Sequence, residues 1–98
     1  MDVGTLPTKY KDDLDKAVTV LKEAGCSDVY LFGSLVTGKY HETSDIDLGI
    51  TGLPPQKYIP TYSQLNNTMK NQFDLIDFDE DKELFHLLNS IGEVVCLG

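Results

Sequence analysis

Apolar residues recur at helical spacing from Pro7 to Ala24, at Tyr10, Leu14, Ala17, Val18 and Leu21, and Gly25 follows as a stop. This pattern predicts an amphipathic first helix. "DVYLFGS" is a short β-rich run ending in glycine and predicts a strand over residues 28–32. "SDIDLGIT" alternates, with Ile46, Leu48 and Ile50 on one face and Asp45, Asp47 and Gly49 on the other, which predicts a second strand. "LPPQKYIP" carries three prolines and reads as a loop. Thr61 with Gln64 makes a capping-box start for a helix carrying Leu65 and Met69. "FDLIDF", residues 73–78, predicts a third strand. Asp79 is placed to cap a last helix whose Leu84, Leu87, Leu88 and Ile91 form one stripe before Gly92. "VVCL" closes the chain as a short strand. The order α-β-β-α-β-α-β predicts an α/β (α+β) fold, a small mixed sheet flanked by helices.

Composition narrows the class. A chain of 98 residues is expected to form one domain over 1–98. The 41% hydrophobic content supplies a modest core. Sixteen Asp and Glu against eight Lys and Arg leave a net charge of −8, which argues against a broad nucleic-acid surface, since that needs a basic stripe. Met1-Asp2-Val3-Gly4 lacks the basic, then apolar, start of a signal peptide. No run approaches membrane-spanning length, so a cytoplasmic protein is expected. Cys26 and Cys96 show no metal or redox spacing.

"GSLVTGK", residues 33–39, looks like a phosphate-binding P-loop. That motif needs Ser or Thr after its Gly-Lys and a helix whose N-terminal amides meet the phosphates. Here Tyr40 follows Lys39, and the polar stretch to Ser44 is too short for such a helix. The P-loop reading fails. Gly33-Ser34, at the end of the first strand with a short helical turn after it, still presents amides and a hydroxyl to an anion. Lys39 either touches a phosphate or stays solvated beside the turn, and neither His41 nor His86 has a partner pattern.

D-x-D occurs four times, at Asp13/Asp15, Asp45/Asp47, Asp77/Asp79 and Asp79/Asp81. On a helix, residues two apart diverge, which removes Asp13/Asp15 as a joint metal site. Asp79 and Asp81 suit a helix N-terminus without further purpose. Only Asp45 and Asp47 fall on a predicted strand, where a period of two puts both on one face. At ~5 Å and an effective dielectric of ~20 they would repel by about 3 kcal/mol. A divalent cation removes that cost, and oxygen-only ligands favour magnesium or manganese. The competing explanation is the polar outer face of an edge strand. Asp74 and Asp77 are both candidates for a third carboxylate; Asp74 is preferred because it shares its face with Ile76 and Phe78.

Taken together, Gly-Ser, ten residues and Asp-x-Asp in "GSLVTGKYHETSDIDLGI" resemble the signature of the nucleotidyltransferase superfamily that includes DNA polymerase β, and in particular its minimal members. The resemblance covers nearly the whole chain. It implies that Gly33 and Ser34 hold the triphosphate of a nucleotide, with ATP the expected donor. It also implies that Asp45 and Asp47 bind two magnesium ions, or manganese, and that Asp74 completes the metal site and serves as a base. The transfer would occur at the α-phosphate with release of pyrophosphate. Many minimal members carry an arginine after Gly-Ser, where this chain has Leu35-Val36-Thr37.

Two functions follow from the resemblance. One is a catalyst that moves a nucleotide, AMP above all, to a hydroxyl acceptor. Minimal members pair with HEPN-domain toxins as antitoxins, which makes such a partner protein the expected acceptor. The alternative is a binding module that neutralises the same partner by complex formation without chemistry.

Overall fold

The computed structural model describes residues 6–41 and 44–98, so the residues at the chain start and at 42–43 lie outside it, the Met1–Gly4 reading included. The first helix, α1, spans Thr8–Ala24 and ends where Gly25 turns left-handed. Its buried stripe holds Tyr10, Asp13, Leu14, Ala17, Val20 and Leu21. Val18 packs against the core half-buried, and Val20 and a carboxylate join the stripe. Strand β1 is Asp28–Phe32, and a four-residue turn of helix, α2, is Ser34–Thr37. Strand β2, Ile46–Thr51, is followed by a 3₁₀ turn at Pro55–Lys57 and helix α3 at Tyr58–Thr68. Strand β3 is Phe73–Asp77, helix α4 is Lys82–Ser90 and strand β4 is Val94–Cys96.

The four strands form one mixed sheet in the order β3-β2-β1-β4. β1 runs antiparallel to β2 and β4, while β2 and β3 are parallel. The parallel pair requires a crossover, and α3 supplies it. β2 is therefore a central strand, which removes the edge-strand explanation of Asp47.

One face of the sheet presents Val29, Leu31, Ile46, Leu48 and Ile50, all at 0% exposure, to the core with α1 and α3. The other face is aromatic. Phe78 lies 5.8 Å from Tyr30, 5.6 Å from Phe32 and 4.8 Å from Phe85 of α4, measured between ring centres. Gly49 makes this possible, because a Cβ there would meet the Phe78 ring at 2.0 Å. The strand's second face is thus half carboxylate and half aromatic packing.

Three local expectations are corrected. α3 begins at Tyr58, so Thr61 is a buried residue inside the helix and the Thr61–Gln64 capping box does not form. Pro60 is accommodated because the first turn of a helix has no use for its missing N–H. The cap of α4 is Asp81, whose Oδ1 accepts the Leu84 N–H at 3.1 Å. Asp79 instead accepts the Gly52 N–H at 2.7 Å, a partner distant in sequence. The single stripe of α4 also divides: Leu88 is buried and Leu84 half-buried, but Leu87 and Ile91 are 55% and 54% exposed.

Candidate active site

β1 ends at Phe32, and the chain turns at Gly33 with φ 81° and ψ −152°, a region of backbone space essentially reserved for glycine. A Cβ at Gly33 would sit 2.1 Å from Oδ2 of Asp47. The missing side chain is what lets the Asp47 carboxylate lie against the turn. The first hydrogen bonds of α2 run from the Val36 and Thr37 N–H groups to the Gly33 carbonyl, at 3.0 and 3.2 Å. The amides of Ser34 and Leu35 come before those bonds, as the opening amides of any helix do.

Asp47 stands opposite Phe32 on β1 and opposite Asp74 on β3. Residues paired across neighbouring strands share a face at roughly 5 Å. Asp45 lies just outside β2 and is exposed, with the same parity as Asp47. Gly33, Asp47 and Asp74 therefore lie together at one end of the sheet, with Ser34 and Asp45 adjoining them along the chain. Asp77 does not: it pairs with Ile50, further along β3 and on the opposite face, and its Oδ1 accepts the Asp79 N–H at 2.9 Å. Asp74 is exposed rather than set among apolar side chains, because it occupies the outer end of the edge strand β3. Lys39 and His86 are exposed as well.

Asp47 is half-buried, and its carboxyl is pushed up to about 6, first by burial and then by the negative charges of Asp74 and Asp45. A group so placed holds its charge at a cost that a nearby cation would relieve. Among the described residues no three acidic or metal-binding side chains are gathered tightly enough to enclose an ion unaided. The donor set still fits magnesium. It is all oxygen, it is crowded with negative charge, and Mg²⁺ takes one or two carboxylates and completes its shell with water and substrate phosphates.

A cavity of about 600 Å³ lies elsewhere, over the outer face of α4 beside Phe85, His86 and Leu87. It contains none of these carboxylates and includes Leu87, one of the two exposed residues of the α4 stripe.

Sequence reasoning missed Asp13. It is at 0% exposure and accepts the N–H groups of Lys70 and Asn71. Its signal was its place on the apolar stripe, three residues after Tyr10 and one before Leu14.

The four-stranded mixed sheet thus carries a glycine turn and, beside it, the paired carboxylates of Asp47 and Asp74 at one end. The chain belongs to the polymerase β nucleotidyltransferase family, whose sequence profile matches residues 12–96. No curated protein matches the chain. Among solved structures it is similar to a toxin–antitoxin with AMP-PNP, at 25% identity and a TM-score of 0.56, over 67% of this chain and 57% of that one. It is also similar to a toxin–antitoxin MntA-HpeT mutant, at 22% identity and a TM-score of 0.54, with the same 67% and 57% coverage. A third is a tri-AMPylated Shewanella oneidensis HEPN toxin in complex with MNT antitoxin, at 20% identity and a TM-score of 0.50, covering 70% and 56% of the two chains. The chain thus spans a little over half the length of the chains it resembles. Among the described residues no helix is long and apolar enough to cross a membrane.

Proposed function

We propose that this chain is a magnesium-dependent nucleotidyltransferase that moves AMP from ATP to a hydroxyl of a HEPN-type partner protein, and that this makes it an antitoxin. The observation that carries the reading is the register of Asp47 with Asp74 against the Gly33 turn. Family membership supports the transferase class. The likeness to toxin–antitoxin structures, one with AMP-PNP and one with an AMPylated toxin, supports the nucleotide and the partner. A net charge of −8 suits a basic partner.

In this reading the amides of the Gly33–Ser34 turn and the Ser34 hydroxyl hold the triphosphate. Asp45, Asp47 and Asp74 would hold two Mg²⁺ ions, with Mn²⁺ a substitute. When bound, these ions neutralise the phosphates and acidify the acceptor hydroxyl. Asp74 is exposed at the sheet edge, where it takes the acceptor's proton. The acceptor oxygen bonds to the α-phosphorus, the bond from that phosphorus to the bridging oxygen breaks, and pyrophosphate leaves on the Gly33–Ser34 side. Among the described residues the chain's basic groups are all lysine or histidine, so metal and amides carry most of the charge neutralisation.

The test combines melting curves with ATP, GTP, CTP or UTP, with and without magnesium, and mass spectrometry of a HEPN-type partner incubated with ATP. A magnesium-dependent rise in melting temperature, lost in Asp47→Asn, and a partner heavier by one nucleotide are expected. Transfer by Asp45→Asn and Asp47→Asn proteins at the wild-type rate would overturn the reading.

A further inference from the structure

Two buried polar side chains of α1 take no part in the site yet hold the two segments that lead into it. Tyr10 is 1% exposed and Asp13 0%, and residues three apart share a helix face. The Tyr10 hydroxyl is directed at the carbonyls of His41 and Ser44, at 3.1 and 3.4 Å. It has a single proton to donate, so the two carbonyls share it. His41 and Ser44 are themselves clasped, with the His41 N–H on Ser44 Oγ at 2.8 Å and the Ser44 N–H on the His41 carbonyl at 3.0 Å. Asp45 is the next residue and lies outside the strand ladder.

Asp13 does the corresponding work for β3. Its Oδ1 and Oδ2 accept the Lys70 N–H at 3.0 and 3.1 Å, and Oδ2 also accepts the Asn71 N–H at 2.7 Å and the Asn71 Nδ2 at 2.8 Å. Burial acts to raise this carboxyl, but the bonds from Lys70 and Asn71 and the charge of Lys16 hold it below the usual range. It is an ionised anchor. Two residues beyond Asn71, β3 begins with Phe73 and then Asp74. The Ile46 N–H donates to the Gln72 carbonyl at 2.9 Å and ties the two entry segments together.

We infer that α1 is the positioning element of the carboxylate edge, with the Tyr10 hydroxyl setting where Asp45 enters it and the Asp13 carboxylate setting where Asp74 enters it. The inference rests on the reading of that edge as a cation site. Tyr10 and Asp13 touch no substrate. They act through the backbone that delivers the two aspartates, so their loss changes cation affinity out of proportion to its effect on stability.

Free Mn²⁺, counted by electron paramagnetic resonance, is the probe, titrated against the full chain at a temperature where circular dichroism shows each variant folded. Wild type binds, and Asp47→Asn does not. Tyr10→Phe and Asp13→Asn bind on the order of 10-fold more weakly, as is usual when a partner that orients a ligand is removed. Thr51→Val is the control. It deletes a hydroxyl bond to Asp28, 3.2 Å long, at the far end of the same sheet, and keeps wild-type affinity. Tyr10→Phe binding within ~2-fold of wild type overturns the inference while leaving the cation site standing. Equal weakening by Thr51→Val overturns it too, since the effect would then be general. A wild type that ignores Mn²⁺ overturns the cation reading and the inference with it. If Asp13→Asn fails to fold, Tyr10→Phe decides.

Discussion

Replacing Asp47 with Asn should make the metal-free protein more stable, and increasingly so as pH rises. The wild-type carboxyl is lifted from 3.8 to about 6 by burial and by its neighbours Asp74 and Asp45. Between those values the folded protein holds a proton that the unfolded chain has released, so stability falls as pH climbs through this window and the loss is complete above it. The full cost of the ionised form is about 3 kcal/mol. Partial exposure and screening reduce it to roughly 1–2 kcal/mol. Asn removes the titration and keeps the shape. From about pH 4.5 to about pH 8, the advantage of Asp47→Asn over wild type should grow by about 1 kcal/mol, or 4–8 °C in melting temperature for so small a domain. Paired thermal melts across that range, without divalent cations, measure it. Carboxyls remote from the site, including the depressed Asp13, are common to both proteins and cancel. A difference that stays flat, or shrinks with pH, would refute the electrostatic account of the site.

Two further outcomes follow from the packing. Gly33→Ala should cost about 1–3 kcal/mol, because its backbone region is essentially closed to other residues. It should also abolish any nucleotide- or magnesium-dependent rise in melting temperature, since the added Cβ would displace the Asp47 carboxylate. On α4, Leu87→Ser should change urea-unfolding stability by no more than about 0.5 kcal/mol, while Leu88→Ala one residue on should cost about 2 kcal/mol or more. Equal effects at the two positions would contradict the burial of one and the exposure of the other.

The legible parts of the chain were those governed by local pattern. β1 has the expected bounds, since a β-rich run between a helix stop and a glycine leaves one choice. The alternation through Ile46, Leu48 and Ile50 placed the aspartates on the face away from the main core, and strand parity alone separated Asp74 from Asp77. What escaped was whatever depends on distant partners. Asp79 looked like a cap, but Gly52 claims its side chain and leaves the capping to Asp81. The pair Thr61 and Gln64 matched a motif, yet the helix starts at Tyr58, whose hydroxyl donates to the distant Leu75 carbonyl, and Thr61 is buried inside it. The α4 stripe promised four core residues, but only Leu88 is buried, while Leu87 and Ile91 stay exposed. Asp13 was set aside as half of a helical D-x-D, and only the fold shows that Lys70 and Asn71 wait for it.

The crossover from β2 to β3 leaves and returns at two moored points. Gly52 is tied to Asp79 at its departure, and Lys70 and Asn71 are tied to Asp13 at its arrival. Between them lie Leu53 to Met69, with the 3₁₀ turn and α3. Because each end is fixed by a bond of its own, the length of this span does not decide where Asp74 falls. Lengthening a surface connection carries only a slowly growing entropic cost. Most of the span is held by the buried Leu53, Thr61, Leu65 and Met69, so the exposed turn at Pro55–Lys57 is where residues can be gained or lost while Asp47 and Asp74 keep their pairing.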